Sequence, residues 1–171
     1  MLKKSFALCF ASLCLPMVAQ AAQLNVEIEI PRLDVAEYHR PYVALWIEQG
    51  NQHVADLAVW YDLKMKNNEG EKWLKDMRQW WRRSGRTLSF PIDGVSSATR
   101  AVGKHQLSFD SQNPVLSKLP AGDYQLLVEA AREVGGRELI KIPFTWPPQA
   151  EHTETAQGST ELGAIVLQVK P

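Results

Sequence analysis

The chain has 171 residues, 45% of them hydrophobic, which is enough to bury a core of its own. Its 19 lysines and arginines balance its 19 acidic residues. Proteins that bind nucleic acids or anionic membrane surfaces usually carry a basic excess, so the balance argues against both classes.

The N-terminus has the order of a secretory signal peptide. Two lysines precede an apolar run at residues 6–18, and Ala19-Gln20-Ala21 follows with the small residues of a cleavage site. The run is too short to span a bilayer. The sequence therefore predicts a signal peptide at 1–21, removed on export, and a single periplasmic domain at 22–171 that does not insert into the membrane.

Cysteine and metal chemistry are not expected in the mature chain. The two cysteines, Cys9 and Cys14, both lie in the predicted signal peptide. The four histidines are scattered, and none pairs with another at the spacing of metal ligands. No nucleophile-elbow motif is present, so a hydrolase of that type is not expected either.

Most of the predicted elements are strands. Residues 24–30 alternate apolar and polar side chains, which indicates a half-buried strand. Residues 41–48 are apolar on both faces and predict a central strand, which forms a hairpin with 53–60 across a turn. Later strands are predicted at 104–109, 124–131, 137–146 and 162–169, whereas residues 147–159 are polar, lack a pattern and are predicted to form a loop.

One segment changes from the period of a strand to that of a helix. From Glu71 to Arg83, large apolar residues recur at helical spacing, with cations and other polar residues between them. This predicts one amphipathic helix near 70–84. We expect Trp73 and Met77 to pack into the core from its apolar face.

About seven strands with one inserted helix predict an all-β fold, an antiparallel Ig-like β-sandwich. The turn Leu119-Pro120-Ala121-Gly122-Asp123-Tyr124 resembles the Ig-like module of flagellar hook-cap proteins. That resemblance implies the fold alone and carries no function.

The stretch from Ile92 to Arg100 contains a candidate modification site. Its core, Asp93-Gly94-Val95-Ser96-Ser97-Ala98-Thr99, resembles the acceptor motif of bacterial flavin transferases, Asp-x-x-Ser/Thr-Gly-Ala-Thr. Those enzymes take FMN from FAD and join its phosphate to the threonine hydroxyl. The resemblance implies that Thr99 carries covalent FMN and that Asp93, Ser96 and Ala98 are recognised by the transferase.

The motif departs from the family pattern at Ser97, where glycine is usual, because serine loses the freedom to take a positive φ. The small neighbours of Thr99 suit a hydroxyl that enters another enzyme's active site, so we expect an exposed loop. An ordinary loop, in which Asp93 and Ser96 hydrogen-bond to nearby backbone N–H groups, is the alternative that the residues leave open.

The wider sequence resembles predicted periplasmic proteins catalogued as domain of unknown function 2271. The residues that carry the resemblance are Ala44-Leu45-Trp46-Ile47-Glu48, Trp80, Ser96-Ser97-Ala98-Thr99-Arg100-Ala101, Leu119 to Tyr124, and Val128 to Glu133. The resemblance implies a redox role outside the cytosol, in the company of flavin transferases and PepSY-type membrane proteins that move electrons.

Two functional hypotheses follow from the sequence. The first is a flavinylated electron carrier or accessory redox subunit rather than a stand-alone enzyme, with FMN on Thr99. In this hypothesis Trp80 or Trp81 stacks on the flavin ring. The cation near the phosphate is Arg100, beside the acceptor, or one of Arg82, Arg83 and Arg86. A flavin transferase and a PepSY-type protein would be its partners. The alternative is a cofactor-free Ig-like periplasmic binding or assembly module.

Overall fold

The computed structural model describes residues 22–110 and 112–171, so the predicted signal peptide at 1–21 lies outside the described residues. Strands dominate the described part of the chain. In chain order they are β1 (Gln23–Ile30), β2 (Tyr42–Gln49), β3 (Gln52–Tyr61), β4 (Ser96–Ala98), β5 (Gly103–Asp110), β6 (Gly122–Ala131), β7 (Arg137–Trp146), β8 (His152–Gln157) and β9 (Ala164–Lys170).

The strands form two sheets that pack as a β-sandwich, which confirms the predicted fold class. Sheet 1 has the order β5-β1-β9-β8, and sheet 2 has the order β4-β3-β2-β6-β7. Neighbouring strands are antiparallel except for β3 and β4, which pair in parallel. The finer assignment to the Ig-like type stays a prediction.

The core between the two sheets, which we call the sandwich core, follows from alternation in the strands. On β1, Leu24, Val26, Ile28 and Ile30 are all at most 1% exposed, and they face the apolar side chains of sheet 2. Full burial of one such side chain stabilises a fold by about 1.5–3 kcal/mol. The strict alternation in the sequence therefore predicts the buried face of β1 correctly.

The other face of sheet 2 is covered by a helical cap, residues 66–87. The cap contains a 3₁₀ segment (Lys66–Asp76), the short helix α1 (Arg78–Arg83) and a second 3₁₀ turn (Gly85–Thr87). Its buried residues Leu74, Met77 and Trp80 pack on sheet 2 and form a second core, which we call the cap core. Because both of its faces are covered, β2 is buried along seven of its eight residues.

Carboxylates from sheet 2 fasten the cap. Glu129 accepts hydrogen bonds from the backbone N–H groups of Gln79 and Trp80, at 3.1 and 2.8 Å, in the first turn of α1. A carboxylate at this position satisfies helix donors that have no partner within the helix, and it suits the helix dipole. Asp56 on β3 accepts the indole N–H of Trp80 at 2.8 Å, so the cap is held by polar as well as apolar contacts.

A single glutamate also joins sheet 2 to the connection between β8 and β9. Glu138 on β7 accepts backbone N–H groups from four consecutive residues, 159–162, and the hydroxyl of Ser159. This arrangement, the Glu138 clasp, closes one end of the sandwich. It satisfies backbone donors that strand pairing leaves open.

Three local predictions were wrong. Residues 152–157, predicted as part of a loop, form β8, whose polar side chains give no strand signal because most of them are exposed. The stretch 96–98, predicted as part of a loop, forms β4. Trp73, predicted to be core, is 41% exposed because the segment around it is a 3₁₀ helix rather than an α-helix, so the 3.6-residue period does not hold.

Among the described residues, no helix is long and apolar enough to cross a membrane.

Candidate functional site

The flavin-acceptor-like stretch is a tight turn followed by a short edge strand. The carbonyl of Ile92 accepts the N–H groups of Val95 and Ser96, and the Ser96 hydroxyl accepts the N–H of Ile92 at 2.9 Å. Gly94 has a φ of +72°, which glycine adopts without strain. This hydrogen bonding resembles the ordinary-loop alternative, in which Ser96 supports the local backbone.

Parallel pairing brings Thr99 next to Asp62. Ala98 at the end of β4 is the register partner of Tyr61 at the end of β3, so the next residue on each strand lies side by side. The Thr99 hydroxyl donates to Oδ1 of Asp62 at 3.3 Å. Thr99 is only 9% exposed, whereas the sequence predicted an exposed acceptor loop.

Thr99 and Asp62 lie in the wall of a cleft of about 340 Å³, which we call the Thr99 cleft. Three large apolar side chains that are unusually exposed also line it: Tyr38, 37% exposed, and Met65 and Trp73, each 41% exposed. Its volume lies within the range of small-molecule sites. Exposed apolar side chains around a concave surface are typical of a site that binds a ligand or a partner.

Two tyrosines supply neutral hydroxyl groups to this cleft. Burial raises the pKa of Tyr42 to about 12, although a backbone hydrogen bond from Asp62 opposes the shift. Burial is also the main reason that the pKa of Tyr38 is raised. Both phenols therefore stay protonated at physiological pH and can donate a hydrogen bond without adding charge.

The charged groups of the cleft have both signs. Arg40 and Arg132 supply guanidinium groups, and Asp62, Asp76 and Glu133 supply carboxylates. Arg132 is held by two hydrogen bonds to the buried Glu161, at 2.8 and 3.2 Å. Its remaining nitrogen, Nη1, is buried and has no hydrogen-bond partner in the part of the chain that the structure describes. The pairing with Glu161 compensates the charge of Arg132 within the protein.

The other predicted cofactor-binding residues do not line the Thr99 cleft. Asp93 lines a separate hollow of about 110 Å³. Ser96 is occupied by its backbone hydrogen bond, and Ala98 is exposed at the sheet edge. The guanidinium of Arg100 lies 5.3 Å from the ring centroid of Trp60, in a cation–π contact.

Trp81 lies in a different hollow, of about 410 Å³, together with Lys75, Arg78, Arg82 and Arg137. The structure therefore does not bring Trp81 into the cleft that contains Thr99. The aromatic side chain that does line the Thr99 cleft from the helical cap is Trp73.

A row of aromatic rings connects the two places. Tyr42 at the Thr99 cleft contacts Tyr61, with ring centroids 6.3 Å apart, and Tyr61 contacts Phe90 at 6.0 Å. Phe90 contacts Trp80 at 6.0 Å, and Trp80 contacts Trp81 at 6.2 Å. We call these five residues the aromatic row. It crosses the cap core and ends in the hollow at Trp81.

Sequence reasoning missed Asp62, Tyr38 and the exposed Trp73. Asp62 follows directly on the end of β3, where a polar residue after an apolar run marks the end of a strand, and this signal could have drawn attention to it. Nothing local indicates that Asp62 meets Thr99, because 37 residues separate them. In residues 22–110 and 112–171, no group of three potential metal ligands is assembled.

A two-sheet β-sandwich with a helical cap and one aromatic-lined cleft defines the structural class of this chain. The family model of predicted periplasmic proteins catalogued as DUF2271 matches residues 23–164. The chain therefore belongs to this family, and its recognition from the sequence is confirmed. Searches among curated proteins and among solved structures found no significant match.

Proposed function

We propose that this protein is a periplasmic electron carrier or accessory redox subunit, with FMN attached covalently to Thr99. The observation that carries the proposal is the position of Thr99: the one hydroxyl that the motif marks as acceptor lies in the wall of a cleft with exposed aromatic side chains. The family's description as periplasmic agrees with export, which this modification requires.

The residues of the Thr99 cleft fit the parts of FMN. Trp73, Tyr38 and Met65 provide apolar surface for a flat ring system, and the phenols of Tyr38 and Tyr42 are donors for its polar edge. Arg40 provides positive charge for a phosphate, whereas the charge of Arg132 is compensated by Glu161. The three carboxylates of the cleft oppose a phosphate electrostatically, so the phosphate has to lie beside Arg40 and away from them.

In the attachment reaction, the Thr99 hydroxyl oxygen forms a bond to the phosphorus of the FMN half of FAD. The pyrophosphate bond breaks, AMP leaves, and the hydroxyl proton passes to a base. Asp62 orients the Thr99 oxygen through its hydrogen bond at 3.3 Å. FMN, when bound, supplies one- and two-electron transfer, and the protein holds it and tunes it.

The low exposure of Thr99 places a condition on the transferase. Its active site has to reach Thr99 before β4 joins sheet 2 or while β4 is detached. β4 has only three residues and pairs on one side alone, so its local opening should require far less free energy than global unfolding.

The test is an intact mass of the exported protein, produced with and without an active flavin transferase. We expect the mass to increase by one FMN less one water, with the modified peptide containing Thr99. Thr99→Ala should abolish the gain, and Thr99→Ser, which keeps a hydroxyl, should retain part of it. Loss of one partly buried hydrogen bond costs about 0.5–1.5 kcal/mol, so both variants should still fold.

Thr87→Ala is the matched control, because it removes another threonine from the same region and leaves the motif intact. Covalent flavin on the Thr99→Ala protein would refute attachment at Thr99. An unchanged mass of the wild type, with the same transferase active on a known acceptor, would refute flavinylation itself. The tight hydrogen bonding of residues 92–96 and the burial of Thr99 would then favour the alternative, a cofactor-free binding or assembly module.

A further inference from the structure

Positive charge is concentrated in the helical cap. Residues 22–171 contain seventeen cations and nineteen acidic residues, and six of the cations but only one of the acids lie between 72 and 86. That segment therefore has a net charge of +5, and the rest of these residues have a net charge of −7. All six cations are exposed, so the separation is a property of the surface.

Two adjoining hollows shape this charged surface. One, of about 410 Å³, is lined by Lys75, Arg78, Trp81, Arg82 and Arg137, and the other, of about 270 Å³, by Gln79, Arg82 and Arg83. No acidic side chain lines either of them. We call this surface the basic face.

Part of the positive charge is not compensated within the protein. Arg137 and Arg83 pair with the buried Glu129 and Glu48, at 2.8 and 3.3 Å. Over the described ranges, no carboxylate forms an ion pair with Lys75, Arg78 or Arg82. The cations of the basic face thus fall into two groups. One group is paired with buried glutamates of sheet 2, and the other has no ion-pair partner and faces solvent.

The basic face is also held rigidly. Glu129 accepts the backbone N–H groups of Gln79 and Trp80 in the first turn of α1, and Asp56 accepts the Trp80 indole N–H and the Ser84 hydroxyl. Side chains on a fixed backbone lose less conformational entropy when they bind a partner.

We propose that the basic face is a docking surface for the acidic surface of a partner protein. Arginine predominates, and its planar fork recognises carboxylates with two hydrogen bonds. The hollows can receive protruding carboxylate side chains, and Trp81 offers apolar contact in the larger of them. Such a surface accelerates and orients an encounter more than it adds affinity.

An anionic lipid surface is disfavoured by two observations. Trp81 is only partly exposed and lies within the hollow, so it does not protrude as an inserting residue would. The rest of residues 22–171 has a net charge of −7, which repels an anionic bilayer. The proposal does not depend on flavin at Thr99, and the experiment uses protein made without a transferase.

The experiment measures binding of a fluorescein-labelled oligoglutamate peptide by anisotropy at low and at physiological salt. We expect saturable binding of one peptide per protein that weakens as salt screens the charges. The double variant Arg78→Glu with Arg82→Glu should bind at least about tenfold more weakly. The double variant Arg78→Ala with Arg82→Ala should lie between that variant and the wild type.

Lys118→Glu with Lys141→Glu is the matched control, since it changes the net charge equally at exposed positions outside the basic face. Its binding should stay within about twofold of the wild type. Equal losses in the two charge-reversal variants would overturn the proposal, because net charge alone would then explain binding. Binding to phosphatidylglycerol vesicles but not to the peptide, lost in the Arg78 and Arg82 variants, would overturn it in favour of a lipid surface.

Discussion

The two faces of sheet 2 differ in what covers them. From β2, Val43, Leu45 and Ile47 point into the sandwich core, whereas Tyr42, Ala44 and Trp46 point into the cap core. One strand therefore supplies two cores in alternation, which explains why its sequence is apolar on both faces.

The cores also differ in chemistry. The sandwich core is mainly aliphatic, with sheet packed on sheet. The cap core is rich in aromatic rings, and the carboxylates Glu48, Asp56 and Glu129 fix the cap above it. The Thr99 cleft and the basic face both lie at the margins of the cap. The sandwich core thus stabilises the fold through apolar burial, whereas the cap forms the two surface features, the Thr99 cleft and the basic face.

We expect the largest effect on stability from a substitution that removes the polar anchoring of the cap. Glu129→Ala removes a buried acceptor, leaves the N–H groups of Gln79 and Trp80 unsatisfied and leaves Arg137 without its carboxylate. The free energy of unfolding should fall by about 3–5 kcal/mol, measured by urea denaturation with tryptophan fluorescence.

Glu129→Gln is the control for this change, because it keeps an oxygen acceptor of the same shape without the charge. It should lose less stability than Glu129→Ala. If Glu129→Ala stays within about 1 kcal/mol of the wild type, the anchor is not important to the cap.

We expect a smaller effect on stability from the Glu138 clasp. Its contribution to the free energy of unfolding depends on the ionised state of Glu138. Burial alone would raise the pKa of Glu138, but backbone hydrogen bonds from Ser159, Leu162 and Thr160 and the Ser159 hydroxyl together lower it to about 2. The folded pKa thus lies below the ordinary value of 4.5, and the clasp stabilises the fold above that pH.

As the pH falls from about 4.5 towards 2, this contribution is lost. Because Glu138 is partly exposed, we expect about 2 kcal/mol rather than the full value of the shift. Urea denaturation at several pH values should show this decline, and Glu138→Gln should flatten it. An unchanged slope in Glu138→Gln would mean that another carboxylate is responsible.

The smallest effect concerns the sandwich core. Ile28→Val removes one buried methylene from a side chain that is fully buried, and it should cost about 0.5–1.5 kcal/mol with an unchanged denaturant slope. Val35→Ala, at a position that is 42% exposed, is the control and should be nearly neutral. If Ile28→Val lowered the free energy of unfolding as much as Glu129→Ala, the cap would not depend more strongly on single residues than the sandwich core does.

The sequence predicted the fold where one rule of periodicity applied along a whole element. The alternation of β1, the two-sided burial of β2 and the hairpin to β3 are all as predicted. β8 was not predicted because its side chains are mostly exposed and polar, so its pairing with β9 requires no hydrophobic pattern in the sequence.

The candidate site was less predictable because it depends on pairing between distant strands. The parallel register of β3 and β4 places Asp62 beside Thr99, and no local pattern indicates that register. Positive φ angles at Asn67 and Asn68 begin the 3₁₀ segment, which turns Trp73 out to the Thr99 cleft rather than into the core. Composition and period alone could not have shown either.

The aromatic row has an optical consequence. Tyrosine emits light at wavelengths that tryptophan absorbs, so excitation energy that Tyr42 and Tyr61 take up can pass to Trp80 and Trp81 at such short separations. Intrinsic fluorescence should therefore be dominated by tryptophan. A group in the Thr99 cleft that absorbs at the wavelengths of tryptophan emission would lie at one end of this row and would quench that emission.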